Sequence, residues 1–210
     1  MGVRMGIRSA LWSACFALLG LAAPAQAQDD GPSAKCMMCH GADHEKMAKH
    51  PHAVAADSRN FGCVGGHGMS EKHADNPAEA KPDQRFKGKG ALTGAEASAV
   101  CLVCHEGQNN KKLLLWAGST HPQADVGCTS CHTLHVNKDP VFNKAAQADV
   151  CYACHKDTRV AMNKPWRHPI QEGKMTCSDC HAPHGSAGPA LAKRDTVNAT
   201  CYQCHAEKRG

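Results

Sequence analysis

The pentapeptide Cys-x-x-Cys-His occurs six times in this chain: CMMCH at 36–40, CLVCH at 101–105, CTSCH at 128–132, CYACH at 151–155, CSDCH at 177–181 and CYQCH at 201–205. With 14 Cys and 15 His among 210 residues, chance placement gives on the order of 0.1 such matches. Any fold open to this sequence therefore has to present paired thiols, each followed by an imidazole, again and again along its length.

The spacing has a chemical reason. Two cysteines three apart lie on one side of a helical turn, so both thiols reach the two vinyl groups along one edge of a haem. The next histidine then sits beneath the ring as an axial ligand of the iron, one of the protein's main controls on haem chemistry. The attachment pairs are Cys36 and Cys39, Cys101 and Cys104, Cys128 and Cys131, Cys151 and Cys154, Cys177 and Cys180, and Cys201 and Cys204. Their proximal ligands are His40, His105, His132, His155, His181 and His205. Six haems c are expected. Zinc ribbons use Cys pairs without needing a histidine after each, and a disulfide framework leaves all six histidines unexplained.

Arg4 and Arg8 precede an apolar stretch from Ala10 to Ala23, and Ala25-Gln26-Ala27 has the small-x-small pattern of a signal-peptidase site. Residues 1–27 are read as a cleaved export signal; the apolar run is short of the about 20 residues a membrane span needs. Cys15 falls in that signal. Beyond it stand 22 basic and 19 acidic side chains, and six haems, with two propionates and a ferric core each, move the charge by about −6. The sequence pI near 8.5 is then no sign of nucleic acid, and none is expected as a partner.

Aromatic residues make up 4% of the chain, too little bulk for a conventional core at this length. The expected fold is mainly irregular, with short α-helices wrapped around a haem stack and no β-sheet core. Thr93-x-x-Glu96 reads as a capping box for a helix running into Cys101, and Asn143 and Asp195 or Thr196 as caps before the motifs at 151 and 201.

The motifs repeat. Cys101 to Cys151 and Cys151 to Cys201 are both 50 residues, with a second motif 27 and 26 residues after the first. Between the two motifs lies a His-Pro pair, His121-Pro122 or His168-Pro169, and after the second comes a trailing histidine, His135 or His184. The same order in the N-terminal part runs from Cys36 through His50-Pro51 and demands a motif at Cys63. CVGGH stands there, with Gly66 in place of a cysteine. Cys63 and His67 thus form a degenerate site, and whether it holds a seventh haem is left open. The organisation expected is 1–27 signal peptide, 28–100 first haem unit with the degenerate site and a Pro/Lys-rich surface loop over Ala74–Gly90, 101–150 and 151–200 two-haem units, and 201–210 the start of a fourth, truncated unit.

Eight further histidines, His44, His50, His52, His73, His121, His135, His168 and His184, match the number of distal ligands that six or seven irons require. His135 and His184 lie three residues from a proximal histidine, about 5 Å along a helix axis and on the same side of its ring; they are expected to ligate a neighbouring haem. The prolines after His50, His121 and His168 favour extended geometry for those histidines. Met47, Met69, Met162 and Met175 are read as packing against porphyrin faces, and the run Lys111 to Trp116 as a haem cover.

The segments HPIQEGKMTCSDCHAPHGS (168–186) and TVNATCYQCHAEKRG (196–210) resemble the decahaem cytochromes of the MtrA/DmsE type, with their doubled CxxCH motif. That resemblance implies a periplasmic, outer-membrane-associated haem wire. Its electrons would come from periplasmic and inner-membrane cytochromes, and its partners would be an outer-membrane β-barrel and an outer-surface cytochrome or reductase. The alternatives are a multihaem reductase with one open-site haem, which needs acid or base groups beside it, and a non-functional fragment.

Overall fold

A computed structural model describes residues 31, 33–53, 62–106 and 113–210; the expected signal peptide and Lys111-Lys112 lie outside them. Helices in this region are short: α1 (Ala34–Lys46), α2 (Gly62–His67), α3 (Glu71–Asp75), α4 (Gly94–His105), α5 (Thr120–Gln123), α6 (Lys144–Tyr152), α7 (Lys156–Ala161), α8 (Cys177–Cys180) and α9 (Val197–Cys201). Single 3₁₀ turns at Cys128–Ser130, Pro140–Phe142, Pro189–Leu191 and Ala206–Lys208 and irregular chain join them. Among the described residues the β-structure is one isolated bridge between His181 and Ala192. The fold is irregular and helical, as the composition requires.

Among the described residues apolar burial is confined to Ala97, Trp116, Ala148, Tyr152 and Ala192, whereas nine polar residues are buried, among them Ser33, His50, Ser98, Asp139 and Gln147. Large apolar side chains stand in the open instead: Trp166 is 96% exposed, Met38 84% and Val103 83%. Met38 and Val103 are interior residues of two motifs, so apolar surface is left bare at the attachment sites themselves. Among the described residues the polypeptide alone has no core able to offset chain entropy.

Local chemistry sets where the motifs stand. Thr93 caps α4 through the reciprocal box, Glu96 donating its N–H to Thr93 Oγ1 at 3.2 Å and Thr93 N–H reaching Glu96 Oε2 at 2.8 Å. Asn143 Oδ1 accepts from Ala145 N–H at the start of α6, and Thr196 Oγ1 from Ala199 N–H at the start of α9. Each of these helices runs into a motif and several stop inside it, yet the turn still closes. The histidine N–H donates to the first cysteine carbonyl at 2.9 Å (His132 to Cys128) and 3.0 Å (His155 to Cys151, His181 to Cys177, His205 to Cys201).

One expectation needs correction. His121 is helical, not extended, because it occupies the second position of α5 and Pro122 the third. First-turn N–H groups have no intrahelical acceptor, so proline costs nothing there.

A repeated hydrogen bond joins the two motifs of each sequence repeat. Ser33 Oγ accepts from Val64 N–H at 3.4 Å, Ser98 Oγ from Cys128 N–H at 3.2 Å and Gln147 Oε1 from Ser178 N–H at 3.0 Å. Each acceptor lies three or four residues before a first motif, and each donor is at the start of a second one. In the middle repeat the backbones also meet directly: a Cβ on Gly94 would stand 1.9 Å from Asp125 O, and one on Gly127 2.5 Å from Gly94 O. Only glycine permits that approach.

Candidate haem sites

The thiols of successive motifs come together along the chain. Cys101 and Cys128 share a hydrogen bond, as do Cys151 and Cys177. The bond from Cys101 brings the Cys128 thiol down to about 6, and the bond from Cys151 brings Cys177 down to about 7. The partners Cys101 and Cys151 are pushed up by the same bonds and by burial. The thiols of the two motifs in each repeat thus lie within hydrogen-bond reach of each other, as attachment points on neighbouring haems would. Cys131 in turn feels Cys154, and Cys180 feels Cys201 and Cys204. From Cys101 to Cys204, thiols of successive motifs thus lie near one another.

Opposite the motif histidines stand other histidines. The ring centres lie 6.2 Å apart for His40 and His73, 5.8 Å for His67 and His135, 5.7 Å for His52 and His105, 6.0 Å for His132 and His184, 6.2 Å for His121 and His155, and 6.3 Å for His168 and His205. In the His52 and His105 pair the two Nε2 atoms point at each other, 3.5 Å apart. Six of the eight surplus histidines therefore face a motif imidazole. His44 and His50 face none among the described residues, and no second imidazole faces His181.

The Nδ1 side of these rings is held by acceptors. Nδ1 of His67 lies 3.0 Å from Gln84 O, that of His73 2.9 Å from Ala80 O, that of His121 2.9 Å from Pro183 O, and that of His181 3.0 Å from Ala190 O. His132 Nδ1 meets the Asp139 carboxylate at 2.7 Å, and Asp139 is only 4% exposed. An acceptor at Nδ1 fixes the tautomer and leaves Nε2 to bind a metal.

The expected His-Pro ligand of the N-terminal repeat is displaced. His50 is buried, stacked on His52 with centres 5.1 Å apart, and its Nδ1 accepts the His52 N–H at 3.2 Å. It supports the ring that faces His105 instead of facing it. The Ala74–Gly90 stretch does more than an exposed linker would: Ala80 and Gln84 supply the carbonyls to His73 and His67, and Asp83 Oδ2 takes the Ser70 N–H at 2.8 Å. In the expected haem cover, Trp116 is buried with its ring edge-on to His184 at 6.1 Å, while Leu114 and Leu115 are exposed. Asp139, Gln84 and Ala80 were not legible in the sequence. The one signal was that Asp139 precedes a proline seven residues after His132.

These residues fit haem. Two imidazoles binding one iron from opposite sides, with bonds of about 2 Å and about 1.1 Å more from nitrogen to ring centre, stand roughly 6.2 Å apart. The six observed separations fall on or within half an ångström of that value. Three-ligand clusters suited to a bare metal ion are absent among the described residues, the donors standing instead as facing pairs.

Known proteins carry the same pattern. The doubled CXXCH motif model matches residues 168–210, and the model described as cytochrome c-type protein NrfB-like matches 63–145, beginning at Cys63. The multiheme cytochrome MtrA of Shewanella baltica is 39% identical over 181 residues, covering 83% of this chain and 53% of that protein. The cytochrome c-type protein NrfB of Escherichia coli is 31% identical over 168 residues, covering 73% of this chain and 84% of its own. The chain spans about half the length of the Shewanella relative. On this evidence the chain belongs to the multihaem c-type cytochromes.

Proposed function

We propose that the protein is an electron relay of the periplasm, passing electrons along closely spaced haems toward the outer membrane. The six intact motifs hold haems through their cysteine pairs, with His40, His105, His132, His155, His181 and His205 proximal and His73, His52, His184, His121 and His168 distal at all but the His181 site. Bound haem supplies one-electron chemistry at each position. The chain's own part is to clamp each iron between two imidazoles, keep water off the rings and fix the spacing.

The observation that carries this reading is how the facing histidines are distributed. His52, from the N-terminal repeat, faces His105 of the next, and His135 returns from that next repeat to face His67. His121 faces His155, and His184 faces His132, in the same reciprocal way across the following boundary. These four clamps each join two repeats, and His168 with His205 makes a fifth, whereas His40 and His73 face each other within the first. In this reading the division at 28–100, 101–150, 151–200 and 201–210 is one of attachment, and imidazoles crossing the boundaries hold successive haems side by side.

Residues 1–27 act as the export signal in this reading, which places the haem-bearing part where thioether attachment occurs. Donors would be periplasmic or inner-membrane cytochromes, and acceptors an outer-membrane barrel complex or an outer-surface cytochrome. A spectroelectrochemical titration of the exported protein tests it. Several overlapping one-electron steps at low potential are expected; a single high-potential step would overturn it.

His181 favours a second reading at one position. It is the motif histidine that no imidazole faces among the described residues, and its Nδ1 is held by Ala190, a residue in the left-handed region at φ 51°. An open site there would admit a small ligand, as a reductase needs. Carbon monoxide distinguishes the two: perturbation of about one haem in six assigns an open His181 site, and a larger fraction contradicts the relay.

A further inference from the structure

We infer that Cys63, His67 and His135 build a seventh haem site, fastened by one thioether and clamped by two imidazoles. This rests on the haem reading above and extends it to the motif that lacks a cysteine.

The degenerate site has lost one sulfur and none of the surrounding frame. Residues 62–67 still form the helical turn α2, continued by Gly68 N–H donating to Val64 O at 3.0 Å. His67 and His135 are 5.8 Å apart, inside the 5.7 to 6.3 Å span of the pairs at intact motifs. His67 Nδ1 is turned to Gln84 O at 3.0 Å, the orientation that frees Nε2, and Phe86 stands edge-on to its ring at 5.4 Å. The link between motifs is kept too, Val64 N–H reaching Ser33 Oγ.

Gly66 is not needed as glycine. Its backbone is not left-handed, and a Cβ there would meet nothing within 4 Å. Glycine here leaves an open position without a thiol and does not reshape the turn. A discarded site would have no reason to keep two facing histidines from segments 68 residues apart in sequence.

Cys63 suffices for a covalent link. Its S–H adds across one vinyl double bond: a carbon–sulfur bond forms at the carbon next to the ring, and the hydrogen ends on the terminal carbon. No electrons are gained or lost overall, and the second vinyl group stays intact because residue 66 offers no thiol. The site also bears on continuity, since in sequence it stands between the motif at Cys36 and the one at Cys101.

Denaturing intact mass of the exported, haem-loaded protein tests this. Seven haem masses are expected, with one-seventh of the pyridine haemochrome absorbance displaced toward a haem that retains one vinyl group. Cys63→Ala should lower the covalent count to six, and Gly66→Cys should keep seven while removing the displaced component. Wild-type protein with six haems and an alkylatable Cys63 overturns the seventh site and leaves the six-haem relay standing. A colourless protein overturns the relay itself.

Discussion

The degenerate motif at 63–67 and the intact one at 128–132 occupy the same place in their repeats, the first lacking the second attachment sulfur. Both turn a histidine toward a trailing histidine of the next repeat, at 5.8 and 6.0 Å, and both start with an N–H held by a buried serine. They part at Nδ1: a neutral carbonyl at His67, the buried Asp139 carboxylate at His132. The comparison teaches that fastening and clamping are separate devices. Thioethers decide whether a haem can leave; facing imidazoles and their acceptors decide what its iron does.

The largest effect should come from removing fastening at the intact site. Cys128→Ala combined with Cys131→Ala is expected to lose one haem by mass. A porphyrin covers more area than an aromatic side chain, so at about 25 cal/mol per Å² the loss removes on the order of 10 kcal/mol of apolar burial. Thermal unfolding followed by circular dichroism should show the described helices melting early; an unchanged transition would break the claim that haems are the core.

Next comes the contrast at Nδ1. Asp139→Asn should raise the potential of one haem by on the order of 60 mV, a tenfold change in its one-electron equilibrium, because a carboxylate makes the imidazole a stronger donor than an amide does. Gln84→Ala, which leaves the backbone carbonyl at His67 in place, should shift no potential. Equal shifts in a redox titration would erase the distinction.

The links between motifs should rank by geometry. Gln147→Ala is expected to cost about 1–3 kcal/mol, since Gln147 also donates from Nε2 to Val141 O at 2.8 Å. Ser98→Ala should cost less, and Ser33→Ala, with the longest bond at 3.4 Å, least. Denaturant titrations of the three variants that reverse this order would show the links are incidental.

The smallest effect is in acid. Burial holds His50 below its ordinary pKa, only partly opposed by Asp139. The unfolded chain therefore binds the proton more readily, and stability present above about pH 6.5 is lost as pH falls. His50 faces no motif imidazole, so iron does not mask it. His50→Gln should flatten the decline of melting temperature between neutral and mildly acidic pH; a decline as steep as in the parent would place the titration elsewhere.

What the sequence disclosed and what it withheld divide by range. The attachment motifs, the missing sulfur at Gly66 and the caps Thr93, Asn143 and Thr196 are patterns within five residues, and short-range hydrogen bonds decide them. His135 and His184 face histidines of other motifs, as expected, but the chain after His132 and His181 is not helical, so the helical-turn geometry assumed for them is not what turns them. The exchange of His50 for His52 was not legible, because it depends on burial of His50 against residues distant in sequence. Nor was the service of Ala80 and Gln84: backbone carbonyls carry no sequence signature, and a Pro- and Lys-rich stretch reads as solvent-exposed whatever its carbonyls do. Asp139 looked like any surface aspartate until folding buried it beneath His132.

Electron paramagnetic resonance of the fully oxidised protein tests the paired imidazoles most directly, because the angle between ligand planes sets the splitting of the iron d orbitals. The rings of His52 and His105 cross at 72° and those of His121 and His155 at 81°, whereas His132 and His184 lie within 26° of parallel. The account predicts low-spin signals of both kinds, two strongly anisotropic haems beside more rhombic ones, with at most one high-spin haem, at His181. A spectrum dominated by high-spin iron would contradict it.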